Sequence, residues 1–340
     1  MIREEVSIKV HCIVSCLCEV IREERALLDY RPMYFGLWDA AFDVTEQGEI
    51  TYYQHDLDHS HYFRSYRALF GVTVVEWYDK NKHKNENLDT LLTLLDEETP
   101  GRYVMAQIDM SYMPERENKF HQKPFPHFLI LTKTEDDHKW MMLDPDFRWR
   151  GIVDKEQVVH AFLENPFGGG FYVDANELVE SSVMAVDRYF QQGFTEHNEL
   201  TNLLKTLIPQ MVDGKYGYSL DDLTLAVRQL PVLAIRKYSY EHAMMYFIEE
   251  AGLSDETFDA YTDLIERIVQ GFHSVQYMAI KMSMTGKTDL LDAVMNKLEE
   301  MDGIETAVKN ELNRLYQLWA IHQQLPDTLS LAANAKGRTL

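Results

Sequence analysis

Cysteine is scarce in this chain: three residues in 340, an odd number. That excludes a disulfide-stapled scaffold and points to a reducing compartment, with the cytoplasm as the expected location. Long apolar runs are missing too. No stretch approaches the roughly 18 to 20 apolar residues of a membrane span. Residues 1–10 carry Arg3, Glu4, Glu5 and Lys9, which does not suit a secretory leader. Basic residues are few, 33 Lys and Arg against 55 Asp and Glu, for a formal net charge of -22. A field of that sign repels nucleic acid and anionic lipid and favours cationic ligands such as polyamines, although solubility alone would also account for it. Phosphate-loop chemistry is absent as well. The one glycine cluster, Gly168-Gly169-Gly170, lacks the Lys and Ser/Thr that a nucleotide-binding loop needs.

What is present is an ordinary globular balance, 46% hydrophobic and 26% charged, over a length that predicts two domains. The chain reads as α+β. Residues 1–175 mix short strands, turns and aromatic clusters, residues 176–325 carry helical periodicity nearly throughout, and 326–340 form a patternless tail. In the first part, Ile13, Cys16, Leu17, Val20, Ile21, Leu27 and Leu28 predict one apolar face of a helix beginning near Cys12, with Cys18 off that face. Strands are predicted at 73–77, 103–108, 128–132, 140–143 and 171–173, and a further helix at 88–95. In the second part, apolar positions alternate by three and four from Phe258 to Met282, and again through Val308, Leu312, Leu315, Trp319 and His322.

The chemistry concentrates in two places. Cys12 follows His11 where the first helix begins. Free N–H groups and the positive end of the helix dipole favour a thiolate there. Positions 9 to 11 offer no Ser, Thr, Asp or Asn cap, so the first backbone donors are left for a ligand. The second place is a predicted hairpin, Pro126 to Thr132, a polar turn, then Trp140 to Pro145. With the turn between Asp136 and Asp137, His127 lies across from about residue 146, and one residue of shift brings it opposite Asp144 or Pro145. Opposed or diagonal residues lie roughly 4.5 to 8 Å apart, so Asp144 is placed to orient the His127 imidazole. A Cys, a His and an acid are the parts of nucleophilic acyl transfer.

These segments resemble a known family. His11-Cys12, His127-Phe128-Leu129-Ile130 and Leu143-Asp144-Pro145 are similar to the nucleophile helix, His strand and Asp-Pro strand end of the papain-like bacteriocin-processing peptidases and butirosin-biosynthesis acyltransferases. Tyr34-Phe35-Gly36-Leu37 resembles the Phe-Gly piece of the latter group. The helical half has no counterpart in the peptidases, and the whole chain looks most like aryl-transferring proteins of siderophore biosynthesis. That resemblance implies a papain-like N-terminal half, with Cys12, His127 and Asp144 catalytic, followed by an all-helical domain. It implies transfer of a 3,4-dihydroxybenzoyl-type group from a carrier-protein thioester to a primary amine of spermidine or a citryl-spermidine. The expected partners are then an acyl carrier protein and a polyamine or citryl-polyamine. No cofactor of the enzyme's own is expected, because the acyl donor arrives on phosphopantetheine, and no metal is expected.

The sequence departs from the papain pattern before Cys12. Residues 5 to 10 contain no Gln, so the second oxyanion donor is open, with Ser7, Lys9 and Gln107 as candidates. The polar run His55 to His61 is a candidate metal loop or a rim of the site mouth. Trp38, Phe42, Tyr52 and Tyr53 are candidates to hold an aryl group or simply to pack. Arg148 and Arg150 are candidates for the basic patch that an acidic carrier protein would need. Two other readings stay open: a peptidase or amidase of the same fold, and a non-catalytic helical binding protein with Cys12 buried.

Overall fold

The computed structural model describes residues 10–53, 59–116 and 121–325. These divide into two compact units, one holding the described residues of 10–33 and 53–185, the other those of 34–52 and 186–325. The fold is α+β, with an antiparallel sheet in the first unit and helices through the C-terminal region. Among the described residues no helix is long and apolar enough to cross a membrane.

The chain enters through helix α1 (Cys12–Glu24). A two-strand ladder, β1 (Asp43–Val44) with β2 (Ile50–Thr51), belongs to the second unit. The first unit continues with α2 (Ser60–Phe70), β3 (Val74–Glu76), α3 (Lys84–Asp96), β4 (Arg102–Asp109), β5 (Pro126–Lys133), β6 (Lys139–Asp144), β7 (Trp149–Asp154), α4 (Lys155–Glu164) and β8 (Gly170–Asp174). Six strands pair antiparallel in the order β3-β8-β4-β5-β6-β7. Strand β5 lies inside the sheet, and its apolar run from Phe128 to Leu131 is buried residue after residue because both faces are covered. Leu129 and Leu131 join Ala106, Ile108, Trp140 and Met142 under α3 and α4, which contribute Leu91, Leu95, Val158 and Phe162. The alternate residues Phe128 and Ile130 turn the other way. Helix α1 packs on β5, where the Cys16 thiol donates to the Phe128 carbonyl at 3.7 Å.

Two expectations for α1 need correction. The helix stops at Glu24 and Leu27 is 94% exposed, so the apolar face does not extend to residue 27. Cys18 is buried as well, its thiol donating to the Tyr30 carbonyl at 3.8 Å. Every residue from Ile13 to Ile21 is buried, and a helix covered on most sides has no single apolar stripe to read.

The second unit carries α5 (Val183–Gly193) from its residue 186 onward. It continues with α6 (Glu199–Val212), α7 (Leu223–Ala226), α8 (Leu230–Ala234), α9 (Ser239–Glu250), α10 (Phe258–Thr285) and α11 (Leu291–His322). The predicted stripes are buried between α10 and α11 through Ile265, Ile268, Phe272, Val275, Ala279, Val308, Leu312, Leu315 and Trp319. His322, counted in that stripe, is exposed at the helix end. Gly271 has a packing reason, since a Cβ there would lie 2.4 Å from the Met301 sulfur. Two lysines are buried in this unit, each balanced by acids. Lys237 donates to Glu305 at 2.5 Å and lies 3.3 Å from Asp39. Lys309 donates to Asp39 at 2.7 Å, and Tyr240 to Glu305 at 3.0 Å.

Candidate active site

The register of the β5–β6 hairpin brings the site together. Ile130 faces Leu143 and Lys133 faces Trp140. Continued toward the open end, that register makes Asp144 the diagonal neighbour of His127 on one face of the sheet. The turn therefore carries no shift, and the contact is diagonal rather than directly opposed. Asp144 Oδ1 lies 2.9 Å from His127 Nε2 and also accepts the Phe147 N–H at 3.2 Å. Its other oxygen, Oδ2, accepts from Arg116 Nη2 at 3.2 Å. The carboxylate is fully buried and His127 is 4% exposed. Phe147 stands edge-on to the imidazole at 5.3 Å, and the Arg116 guanidinium lies over the rings of Phe147 and Trp149 at 5.3 and 5.1 Å.

Burial opposes a charge on each member of this pair, and the partners override it. Desolvation pushes the His127 pKa down, but the charge and hydrogen bond of Asp144 outweigh it and hold the imidazole well above its ordinary value of 6.5. Desolvation likewise pushes Asp144 up, while His127, Arg116 and the Phe147 amide bring it below its ordinary 3.8. Each partner therefore favours the charged form of the other.

Cys12 is the second partner of His127, raising the ring's pKa by hydrogen bonding and by charge. With Nε2 turned to Asp144, Nδ1 is the ring nitrogen left for the sulfur. Cys12 is half-buried, whereas Cys16 and Cys18 are buried, and burial raises the Cys16 pKa well above its ordinary range. The N-cap residue His11 is extended and supplies no side-chain cap. The first amides of a 13-residue helix thus stand beside the one partly accessible thiol. Cys12, His127 and Asp144 are brought together: Asp144 is hydrogen-bonded to His127, and the half-buried Cys12 lies close enough to act on the imidazole.

Sequence reasoning missed two contributors, Asp146 and Arg116. Asp146 is buried, and its Oδ1 accepts from the Val10 amide at 3.1 Å and the Ser15 hydroxyl at 3.0 Å, tying the start of α1 to the strand end. Arg116 anchors Asp144 from a loop with no local signal. Of the polar run His55 to His61, His59 has its ring 6.4 Å from that of His11 and 6.4 Å from that of Phe128. Residues 55–58 of that run lie outside the described residues, as do Ser7 and Lys9. Gln107 faces Phe128 across the β4–β5 ladder, and its Oε1 accepts from Asn165 Nδ2 at 3.3 Å. Trp38 is stacked on Tyr240 at 4.7 Å in the helical core, Phe42 is half-buried, and Tyr52 neighbours the Arg236 guanidinium at 5.8 Å. Tyr53 packs on Phe167 at 4.7 Å and lines a cleft of about 960 Å³ together with His59, Gln107 and Phe128. Arg148 and Arg150 are exposed, and Arg150 lies 3.4 Å from Glu23. Among the described residues no cluster of three or more His, Cys, Asp or Glu side chains is arranged to hold a metal ion.

An α+β unit that sets a helix-start cysteine against a His–Asp pair, followed by a helical domain, defines the class. The chain belongs to the DUF6005 family: the N-terminal domain of that family matches residues 7–178 and the C-terminal domain residues 184–333. It is 50% identical to the petrobactin synthase of Bacillus anthracis over 314 residues, which cover 92% of this chain and 96% of that protein. The resemblance to siderophore-assembly proteins read from the sequence is thereby shown.

Proposed function

We propose that this protein is a papain-like cysteine acyltransferase of petrobactin-type siderophore assembly. The observation that carries the reading is the Cys12–His127–Asp144 series at an uncapped helix start, and the petrobactin synthase relative supplies the pathway. In the first half-reaction the Cys12 thiolate attacks the carbonyl of an aryl thioester carried on phosphopantetheine. The oxyanion is met by the first amides of α1. The carbon–sulfur bond to the carrier breaks, and His127 gives its proton to the departing thiolate. In the second half-reaction a primary amine of spermidine or a citryl-spermidine attacks the acyl-Cys12. His127 takes the amine proton, the bond to Cys12 breaks, and an amide leaves. The aryl group would be of the 3,4-dihydroxybenzoyl type. The thioester drives the reaction, so this step needs no nucleotide. The excess of acidic residues, 55 against 33 basic, favours a polyamine over a neutral acceptor.

The test is intact-mass measurement after mixing the protein with an aryl-loaded carrier protein. The expected result is an adduct of the acyl mass on Cys12 that disappears on adding spermidine and appears as amide. Adduct decay that is as fast in buffer as with amine would make the protein a hydrolase. No adduct, with Cys12 inert to alkylation, would remove the enzyme reading altogether.

A further inference from the structure

Arg116 stands in the connection between β4 and β5, which is closed at its base around one buried carboxylate. Asp109, the last residue of β4, accepts on Oδ1 from the Ser111 N–H and the Phe125 N–H, each at 2.9 Å. The Met110 N–H donates to the Phe125 carbonyl at 2.9 Å, so the two ends of the connection are tied side by side. Met113 is buried in the core, and a turn closed by the Arg116 N–H on the Met113 carbonyl, at 3.1 Å, carries Arg116. The connection is thus anchored at Phe125, two residues before His127.

The Arg116 side chain is largely buried over the rings of Phe147 and Trp149, where a charge is costly unless an acid answers it. Among the described residues the acid paired with it is Asp144, and its Nε has no hydrogen-bond acceptor. Asp144 therefore faces two cationic groups, His127 through Oδ1 and Arg116 through Oδ2. The other ionisable groups within reach of His127 are Cys12, from α1, and Asp146, from the segment after β6. Cys16, also on α1, feels both Asp144 and Asp146. Against these acids and thiols Arg116 sets a permanent positive charge.

A general acid and base works best when its proton affinity lies near the operating pH. An imidazole buried against an undivided carboxylate charge would part with its proton too reluctantly to serve a departing thiolate. We infer that Arg116 is a positioning residue: it fixes Asp144 by one oxygen and takes up part of its negative charge, so that His127 is charged beside Cys12 yet able to hand its proton on. That use rests on the acyltransferase reading above, whereas the coupling of Arg116 to His127 through Asp144 stands apart from it.

Removing a positive charge raises the proton affinity of every group near it. Arg116→Gln should therefore move the His127 titration up by on the order of one pH unit, the lower end of what a charge within about 4 to 6 Å does. NMR of protein labelled in its imidazoles follows that titration, with the His127 signal identified by its absence from His127→Ala. The alkaline limb of kcat/KM should rise by the same amount. Arg116→Met, an apolar side chain suited to the rings of Phe147 and Trp149, should give a similar shift and serves where Gln is not tolerated. Arg116→Lys keeps the charge and should titrate as the wild type does. In the Asp144→Asn background the shift on removing Arg116 should shrink several-fold, since the coupling runs through that carboxylate. A downward shift in Arg116→Gln, the direction expected when Asp144 is misplaced, would overturn the charge-sharing role and leave Arg116 a structural support. No shift, an equal shift in Arg116→Lys, or a full shift in the Asp144→Asn background would overturn it as well. The NMR titration needs no turnover, so the two readings fail separately. An inert Cys12 with the imidazole shift intact would end the acyltransferase reading and keep the coupling, and acyl transfer with an unmoved titration would do the reverse.

Discussion

Asp144→Asn isolates what the buried carboxylate does for His127. The substitution keeps the size of the side chain and an oxygen able to accept from His127 Nε2, now 2.9 Å away, and removes only the charge. Burial, which pushes the His127 pKa down, then loses its main opponent. The imidazole should therefore give up its proton at lower pH, and the alkaline limb of the kcat/KM profile should move down. Papain-type sites can work with Asn in this place, so the loss in kcat/KM should be nearer 10² than 10⁴-fold. Stability follows the same signs. Asp144, with a lowered pKa, contributes above its ordinary 3.8 and loses that contribution as pH falls. His127, with a raised pKa, contributes below 6.5 and loses it as pH rises through its folded value. Both contributions are present between 3.8 and 6.5. There the variant should be weaker by about 2 kcal/mol, the worth of a charge-assisted hydrogen bond with Arg116 also left unanswered. Rate profiles and chemical denaturation across that range measure both. An alkaline limb that stays put or rises would refute the argument that Asp144 holds the imidazole charged.

Cys12→Ser should abolish acyl transfer with little change in melting temperature, while Cys16→Ser, which buries a hydroxyl beside the Phe128 carbonyl, should cost stability and keep the mechanism; turnover at wild-type rate in Cys12→Ser would end the proposal. His127→Ala should lose more activity than Asp144→Asn, and His11→Ala less than either, checked by acylation rates on a slow thioester. Asp146→Ala, which removes the acceptor of both Val10 and Ser15, should slow acylation and cost about 1 to 3 kcal/mol, whereas Asp146→Asn should retain most of both, as melting and single-turnover measurements would show. Glu305→Ala, which leaves Lys237 buried without its closest acid, should cost about 3 to 5 kcal/mol in denaturant unfolding with no effect on the acylation rate of the folded protein. Raising ionic strength should raise the KM for spermidine, because the attraction of the -22 chain is screened over about 8 to 10 Å; a KM flat in salt would remove the charge argument.

The candidate site was legible because its members are local to two signals. An uncapped helix start marks Cys12, and a hairpin whose register can be counted joins His127 to Asp144. The strands at 103–108, 128–132 and 140–143 carry their own apolar pattern and were read within one or two residues at each end. Other features depend on partners far along the chain. Nothing about Arg116 or Asp146 alone marks them as neighbours of the triad, since their contacts with Asp144 and Val10 span 28 and 136 residues. The strand order, with β8 inserted between β3 and β4, is set by the same distant pairing. From the sequence, the triple glycine could be read only as lacking the residues of a nucleotide-binding loop. Its reason appears only when Trp77, Tyr78 and Phe128 come to rest on it.

Asp144 and Asp146, two identical side chains separated by one proline, take different parts in the candidate site. Asp144 sends its charge to the base and to Arg116, and its pKa is lowered. Asp146 points to the helix, and burial, outweighing the nearby His127 charge, raises its pKa. A buried carboxylate with a raised pKa is a cost in the folded protein at neutral pH, and the hydrogen bonds from Val10 and Ser15 offset part of it. Both bonds fall within three residues of Cys12, and His127 is bonded to Asp144, two residues from Asp146. One short segment therefore grips the helix with one acid and His127 with the other. In the proposed chemistry the placement of Cys12 against His127 would then depend on this one segment, and such a reaction is sensitive to a misplacement of about 1 Å.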